Sequence, residues 1–401
     1  MATPRTGKMT LAYRPEVIER VGAGALVLSA ALPARAGRYS PSEAAPFLDG
    51  LLPDGSARAG LERRFAVHRV DSFSLLASVG RECAGAVSLV PQGETWPGAS
   101  VAAADCVVLD DRAIAGRLAA LAEDPFGVDD DTRLTLAGTV WKLPLARAAD
   151  FSWSAPTTGN WSTHLLRPEP PERRGLVATE AFALAVMRLA GLRVVDAEAR
   201  TFGGRPVLVV GRFDRVIGGD GTVSRLHQED CCQALGAERG ERAERDGGPT
   251  LAEIAGLVGD LASDPEAELT HLLGWLTASA VFGKVDGTAR DLALTYPTDD
   301  DGVAGCELAP ISSMAGTADY AEQSGALGLS IDGVADLDRV GSKQVVAEAV
   351  RWGMPDDVAT TVVADRLAAL AGSLDAARDV SDPGDDVVDA CRTRIARLTP
   401  T

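Results

Sequence analysis

Gly283-Lys284-Val285-Asp286-Gly287-Thr288-Ala289-Arg290-Asp291-Leu292-Ala293-Leu294 is a short polar loop between a Leu/Ala-rich segment and a mostly apolar run over 292–296. Two aspartates, Asp286 and Asp291, stand five apart in it. In a kinase-type active site the first carboxylate of such a loop orients or deprotonates a hydroxyl nucleophile. The residue five positions on helps hold a metal on the nucleotide phosphates. Alone, a D-x-x-x-x-D loop is more often a solvated turn, so its flanks decide the reading.

Upstream, Asp264-Pro265 starts a predicted helix to about residue 282, with Leu269, Leu272, Leu273, Leu276 and Ala280 facing inward. Downstream, helices are predicted near 342–352, 355–373 and 386–398. The chain before the loop alternates short apolar runs with turns. Residues 26–28, 65–67 and 87–90 read as strands. Residues 40–48 read as a helix capped by Ser40 with Pro41 at its first position, and 71–79 as another, capped by Asp71 and closed at Gly80. A helix is expected over about 111–122. Asp124-Pro125, Gly127 and Asp129-Asp130-Asp131 mark a boundary near 125–132. Strands are expected over 162–168 and 206–210, with a helix over 177–189 between them that carries Glu180 in its first turn. The order is α+β: strands and a helix precede a mostly helical half, two lobes with a ligand site expected between them.

Composition narrows the function. The 401 residues are 46% apolar and 24% charged, ordinary for a globular chain with room for two or three lobes. The net charge of −18 makes a broad nucleic-acid face a poor fit, so no direct nucleic-acid binding is expected. Six cysteines without C-x-x-C spacing and four scattered histidines give no zinc pattern, and the expected compartment is the reducing cytoplasm. No apolar run reaches the length of a membrane span, and the Ala-rich stretch over 22–34 is broken by Pro33.

Taken in order, these segments resemble the HipA family of serine/threonine kinase-fold proteins over almost the whole chain. Leu51-Leu52-Pro53-Asp54-Gly55 with Arg58 resembles that family's LLPEG-x-x-R segment, and 80–86 its GRDCAGA. Residues 135–142 resemble the phosphate-loop segment S-L-A-G-A-Q-x-K, and 162–168 resemble S-T-H-I-L-K-P. Residues 209–215 are similar to V-V-E-R-F-D-R, and 226–236 to L-H-Q-E-D-F-C-Q-A-L-G. The resemblance implies an α+β, HipA-like protein-kinase fold of two lobes: an N-terminal α/β subdomain over 9–125, a β-rich N-lobe over 132–215 and a helical C-lobe over 216–401. It implies ATP or another nucleotide with Mg²⁺ as cofactors. It places Asp286 as the catalytic residue, Asp291 as a metal ligand, and Thr135, Gly138, Lys142, Arg167, Glu180, Arg212 and Phe213 at the nucleotide. It also implies a small helix-turn-helix protein as partner.

The active-site positions depart from the family pattern. The lysine of T-H-I-L-K-P is Arg167 here. The loop N-T-D-A-H-A-K-N is represented by 284–291, with Asp291 for the last asparagine. Ser313 falls where an acidic metal ligand is expected, Val140 where a glutamine is, and Gly211 where a glutamate is. Guanidinium and ammonium are not interchangeable at a tight phosphate site, and a lost carboxylate weakens a Mg²⁺ site. Asp286, Asp291 and Ser313 nonetheless sum to the two negative charges of the family's set. The expectation is a divergent protein that binds a nucleotide or phosphorylated ligand, with ordinary Ser/Thr phosphotransfer impaired or altered, acting on a protein or small molecule. The alternative is a catalytically inactive pseudokinase that works by binding a partner.

Overall fold

The computed structural model describes residues 8–68, 71–94, 107–127, 133–157, 159–219, 221–299, 302–303, 305–318, 320 and 326–399. Part of the expected boundary at 125–132 falls outside these. The chain gathers into two compact units, each discontinuous in sequence. The first takes Met1–Pro168, Arg200–Glu229 and Thr295–Ala304; the second takes Glu169–Ala199, Asp230–Leu294 and Gly305–Thr401. Among the described residues no helix is long and apolar enough to cross a membrane.

The first unit holds two apolar cores. One collects Leu32 and Tyr39 from the chain ahead of residue 41 and Phe47, Leu48, Leu61, Leu75 and Leu76 from short helices. Of these, α2 (Pro41–Gly50) begins as the sequence predicts: the Ser40 hydroxyl accepts from the Glu43 N–H, and Glu43 reaches back to the Ser40 N–H. Helix α4 (Ser72–Val79) is capped by Asp71, whose carboxylate accepts from the Ser74 N–H. Three expected strands do not form. Residues 65–67 instead close α3 (Gly55–Arg64), with Phe65 N–H bonded to Leu61 O and Val67 N–H to Glu62 O. That helix was hidden by its glycines. Gly60 is required, since a Cβ there would lie 2.4 Å from Pro125 Cγ. Residues 87–90 tie back locally, Leu89 N–H to Gly80 O, and residues 26–28 join no ladder.

The second core lies against a six-stranded sheet of order β1-β3-β2-β4-β6-β5: β1 Val108–Leu109, β2 Leu143–Arg147, β3 Trp153–Ser154, β4 His164–Pro168, β5 Ala197–Phe202 and β6 Arg205–Gly211. Leu143, Leu145, Leu166, Val207 and Val209 pack with Ile114 and Leu118 of α5 (Asp111–Ala119). The expected strands over 162–168 and 206–210 are β4 and β6, paired antiparallel with Leu166 opposite Val209. Strand β5 escaped prediction because Glu198, Arg200 and Thr201 break its apolar pattern. Gly203 and Gly204, both at positive φ, form the two-residue turn that joins it to β6.

The second unit is helical around α9 (Pro265–Phe282), which starts at Asp264 and stops at Gly283 as read from sequence. Its packing differs from the expected single face. Residues 272–282 are all buried, because α8 (Leu251–Leu261), α10 (Ser342–Arg351), α11 (Asp356–Ala377) and α12 (Asp385–Leu398) all pack on it. A helix covered all round needs no amphipathic stripe. Leu269, expected inside, is only half-buried, whereas Glu268 is buried, accepting from Arg193 Nη2 at 2.5 Å and Leu308 N–H at 2.8 Å.

His271 on the same helix is pushed down to about 4, by burial first and then by the Arg193 guanidinium, with Arg366 adding to it and a backbone bond at Ala309 opposing. Below the ordinary value near 6.5, the unfolded chain takes up a proton that the folded chain refuses. Stability is therefore expected to fall as pH drops from about 6.5 towards 4, by about 2–3 kcal/mol. Denaturant midpoints across that range check this, and His271→Gln should flatten the profile.

Candidate functional site

The loop after α9 is fixed from several directions within the second unit. Gly283 ends the helix in the left-handed region (φ 72), where a Cβ would also lie 2.8 Å from Arg394 Nη1. Its carbonyl accepts from the N–H groups of Val285, Thr317 and Ala318 at 2.9–3.0 Å. The buried Thr317 hydroxyl accepts from the Asp286 N–H at 3.4 Å, and Gly328 N–H donates to Val285 O at 2.8 Å. Thr288 then caps a short 3₁₀ turn, Ala289–Asp291, and Asp291 Oδ2 accepts from the Thr288 N–H at 2.9 Å. Arg290 Nε lies 3.6 Å from Asp230 Oδ2, and Asp230 itself caps the short helix Cys231–Ala234.

Gly328 allows the close approach. A Cβ there would lie 2.4 Å from Gly287 O and 3.3 Å from Thr288 Cγ2. Gly328→Ala is expected to displace the loop and destabilise the protein by about 1–3 kcal/mol. Gly372→Ala on α11, where nothing lies within 4 Å of the new Cβ, should instead stabilise by about 0.5–1 kcal/mol. Paired thermal melts check both signs.

Lys284 is the residue that sequence reading passed over. Its side chain is 3% exposed, and its ammonium lies 3.0 Å from Asp291 Oδ1 and 3.4 Å from Asp286 Oδ1. Burial alone would pull its pKa down. Asp291 and then Asp286, with Glu180 further off, outweigh burial and raise it, so the ammonium stays charged. Asp286 is the more open of the two aspartates, its side chain 36% exposed against 22% for Asp291, so a hydroxyl can approach it. Asp286, Asp291 and Ser313 carry the two negative charges expected of them, and the Lys284 ammonium among the carboxylates brings the cluster to one net negative charge. The signal was available, because the lysine stands where the family loop begins with a neutral asparagine.

A divalent metal does not fit this donor set. Mg²⁺ takes carboxylate oxygens at about 2.0–2.1 Å, and an ammonium already lies against one oxygen of each aspartate. Ser313 carries no charge. Among the described residues no group of three or more His, Cys, Asp and Glu is placed to hold a metal.

Of the other expected site residues, Glu180 shares this cluster, buried in α6 (Leu176–Leu189). Thr135, Gly138, Lys142, Arg167, Arg212 and Phe213 belong to the first unit. Gly138 has φ 103, and the Lys142 ammonium donates to Ala137 O, closing the loop before β2 on itself. The Thr135 hydroxyl is buried and donates to Leu51 O at 3.2 Å, a tether between two core segments. Arg167 is half-buried on β4, its Cα opposite that of Leu208. Phe213 is half-buried in the turn after β6. Arg212, expected at the nucleotide, has its guanidinium drawn inward. It donates to Glu82 Oε1 (3.0 Å), Ser162 Oγ (2.7 Å) and both oxygens of Asp214 (2.9 and 2.7 Å). Arg215 donates to the same Glu82 oxygen at 3.0 Å, completing a buried network of four charges.

Residues 2–90 match the HipA N-terminal domain, and residues 134–373 match the HipA-like C-terminal domain. Among curated sequences, the chain is 32% identical over 374 residues to a Sinorhizobium fredii protein named "Putative kinase Y4mE", spanning 92% of this chain and 86% of that one. It is 25% identical over 332 residues to the serine/threonine-protein kinase toxin HipA of Shewanella oneidensis, spanning 80% and 73%. The fold is similar to that in the solved complex of the Shewanella oneidensis toxin–antitoxin proteins HipA and HipB with operator DNA. The TM-score is 0.80 at 21% identity, covering 97% of this chain and 90% of that one.

Proposed function

The chain belongs to the HipA family and has its kinase fold, and from that premise we propose that it binds a nucleotide or another phosphorylated ligand, with ordinary Ser/Thr phosphotransfer impaired or altered. A serine/threonine protein kinase works on a nucleotide with metal ions, by positioning and charge rather than covalent chemistry. The observation that carries the reading is Asp286. It is open to an incoming hydroxyl, held by the Thr317 hydroxyl through its own N–H, and set beside a buried cation. In this role Asp286 accepts the proton of the acceptor hydroxyl, and the loop around it keeps the carboxylate in place. The first-unit residues Gly138, Lys142 and Arg167 supply the backbone freedom and the cations expected for phosphate. The group transferred is read as phosphoryl or nucleotidyl and the acceptor as a protein or small molecule.

Thermal melts with ATP and GTP, with and without Mg²⁺, test the reading. A nucleotide-dependent rise in Tm supports it. No shift with any nucleotide sinks it and leaves a binding module without a nucleotide. The similar solved structure contains HipA together with HipB and operator DNA. We infer a HipB-type helix-turn-helix partner for this chain as well. A net charge of −18 leaves DNA contact to that partner rather than to this chain.

A further inference from the structure

We propose that the Lys284 ammonium takes the place of the divalent cation in this loop, so that the chain binds its phosphorylated ligand without metal. The second half of this statement rests on the nucleotide reading above; the first half does not. Three observations carry it. The ammonium sits 3.0 Å from Asp291, the expected metal ligand, and 3.4 Å from Asp286, so a cation already occupies the approach to both carboxylates. The lysine is also anchored and cannot swing out easily. Its backbone N–H bonds Ser279 O at 2.9 Å at the end of α9, and the side chain itself is buried. Finally, the charges close. A buried ammonium is tolerated only when paired, and here two carboxylates hold it.

A divalent ion entering this site would meet a fixed positive charge at contact distance. A lysine head group is a compact point charge with three donors, able to serve carboxylates and phosphate oxygens together. It lacks the second charge of a metal and its coordination geometry. That difference accounts for ligand binding surviving where ordinary metal-assisted transfer is impaired.

The test has two arms on the full chain. In the first, the nucleotide-free protein is titrated with Mn²⁺ and followed by electron paramagnetic resonance. The wild-type chain should show no Mn²⁺ site that depends on Asp291, and Lys284→Asn should gain one, about 10–100-fold tighter than any wild-type binding. Wild-type Mn²⁺ binding that Asp291→Asn removes overturns the proposal, and this comparison stands even if Lys284→Asn fails to fold. A folded Lys284→Asn that gains no site also overturns it. In the second arm, calorimetry measures ATP binding in EDTA and in Mg²⁺. Affinities should agree to within a factor of about three, and an affinity that Mg²⁺ raises at least about tenfold overturns metal-free binding. Absence of ATP binding in both conditions overturns the nucleotide reading and the ligand half of the proposal, while the Mn²⁺ arm still decides the role of Lys284.

Discussion

Replacing Asp286 with asparagine is expected to lower any phosphoryl or nucleotidyl transfer by about 10²–10⁴-fold, the usual contribution of a positioned general base. Asparagine keeps the size and the hydrogen-bonding reach of the side chain but cannot take a proton. The loop should survive the change. Lys284 keeps its closer partner, Asp291, at 3.0 Å, and the Thr317 contact is to the Asp286 backbone N–H. The nucleotide-induced Tm shift should therefore persist while the adduct, read by mass spectrometry after incubation with nucleotide and candidate acceptors, disappears. A variant that forms adduct at the wild-type rate would remove Asp286 from the chemistry. A variant that loses nucleotide binding as well would make it a structural residue.

The second large effect is on stability and lies far from that loop in sequence. Glu82→Ala is expected to cost about 3–5 kcal/mol, because it leaves two buried guanidinium groups short of a carboxylate. Glu82 Oε1 alone serves Arg212, Arg215 and the Ser162 hydroxyl, at 3.0, 3.0 and 2.7 Å. The side chains of Arg212 and Arg215 are 3% and 0% exposed. Asp214 remains to each of them, but it already accepts from the Gly85 N–H, and Arg212 and Arg215 together hold its carboxyl well below the ordinary range against the cost of burial. One carboxylate cannot neutralise both cations. By contrast, Arg188→Ala removes an exposed pair with Asp196 and should change stability by no more than about 0.5 kcal/mol. Urea midpoints of the two variants compare them directly, and equal losses would mean that the buried network carries no special weight.

Much of the fold was legible because local signals and motif order agreed. Ser40, Asp71 and Asp264 cap the helices that they announce, and Gly283 stops α9 where the polar loop begins. Errors arose where tertiary packing overrode the local pattern. Strand β5 carries Glu198 and Arg200 and buries only Phe202, and α3 carries Gly60, which only its close neighbour Pro125 explains. Short apolar runs such as 65–67 look like strands until a preceding helix claims them. Asp286 was singled out by the loop together with the motifs that flank it, and the structure sets it beside Lys284 and Asp291. Two things could not be read from a string of residues. Arg212 lies in a recognisable motif, yet its guanidinium turns inward to partners 130 and 50 residues away in sequence. Lys284 stands out in the sequence as a lysine at the family's asparagine position, but its burial between the two carboxylates could not be read there.

The division of the chain also bears on how it is made. The first unit takes its last segment from Thr295–Ala304, after Asp230–Leu294 has been given to the second. At about 5–20 residues per second on the ribosome, that interval lasts several seconds. During it the sheet and the Glu82 network can form, yet the unit still lacks a segment that belongs to it. Neither half can therefore be cut out at a single point and expected to fold. A nascent chain halted before residue 295 should therefore protect its first unit less well from protease than the full-length chain does.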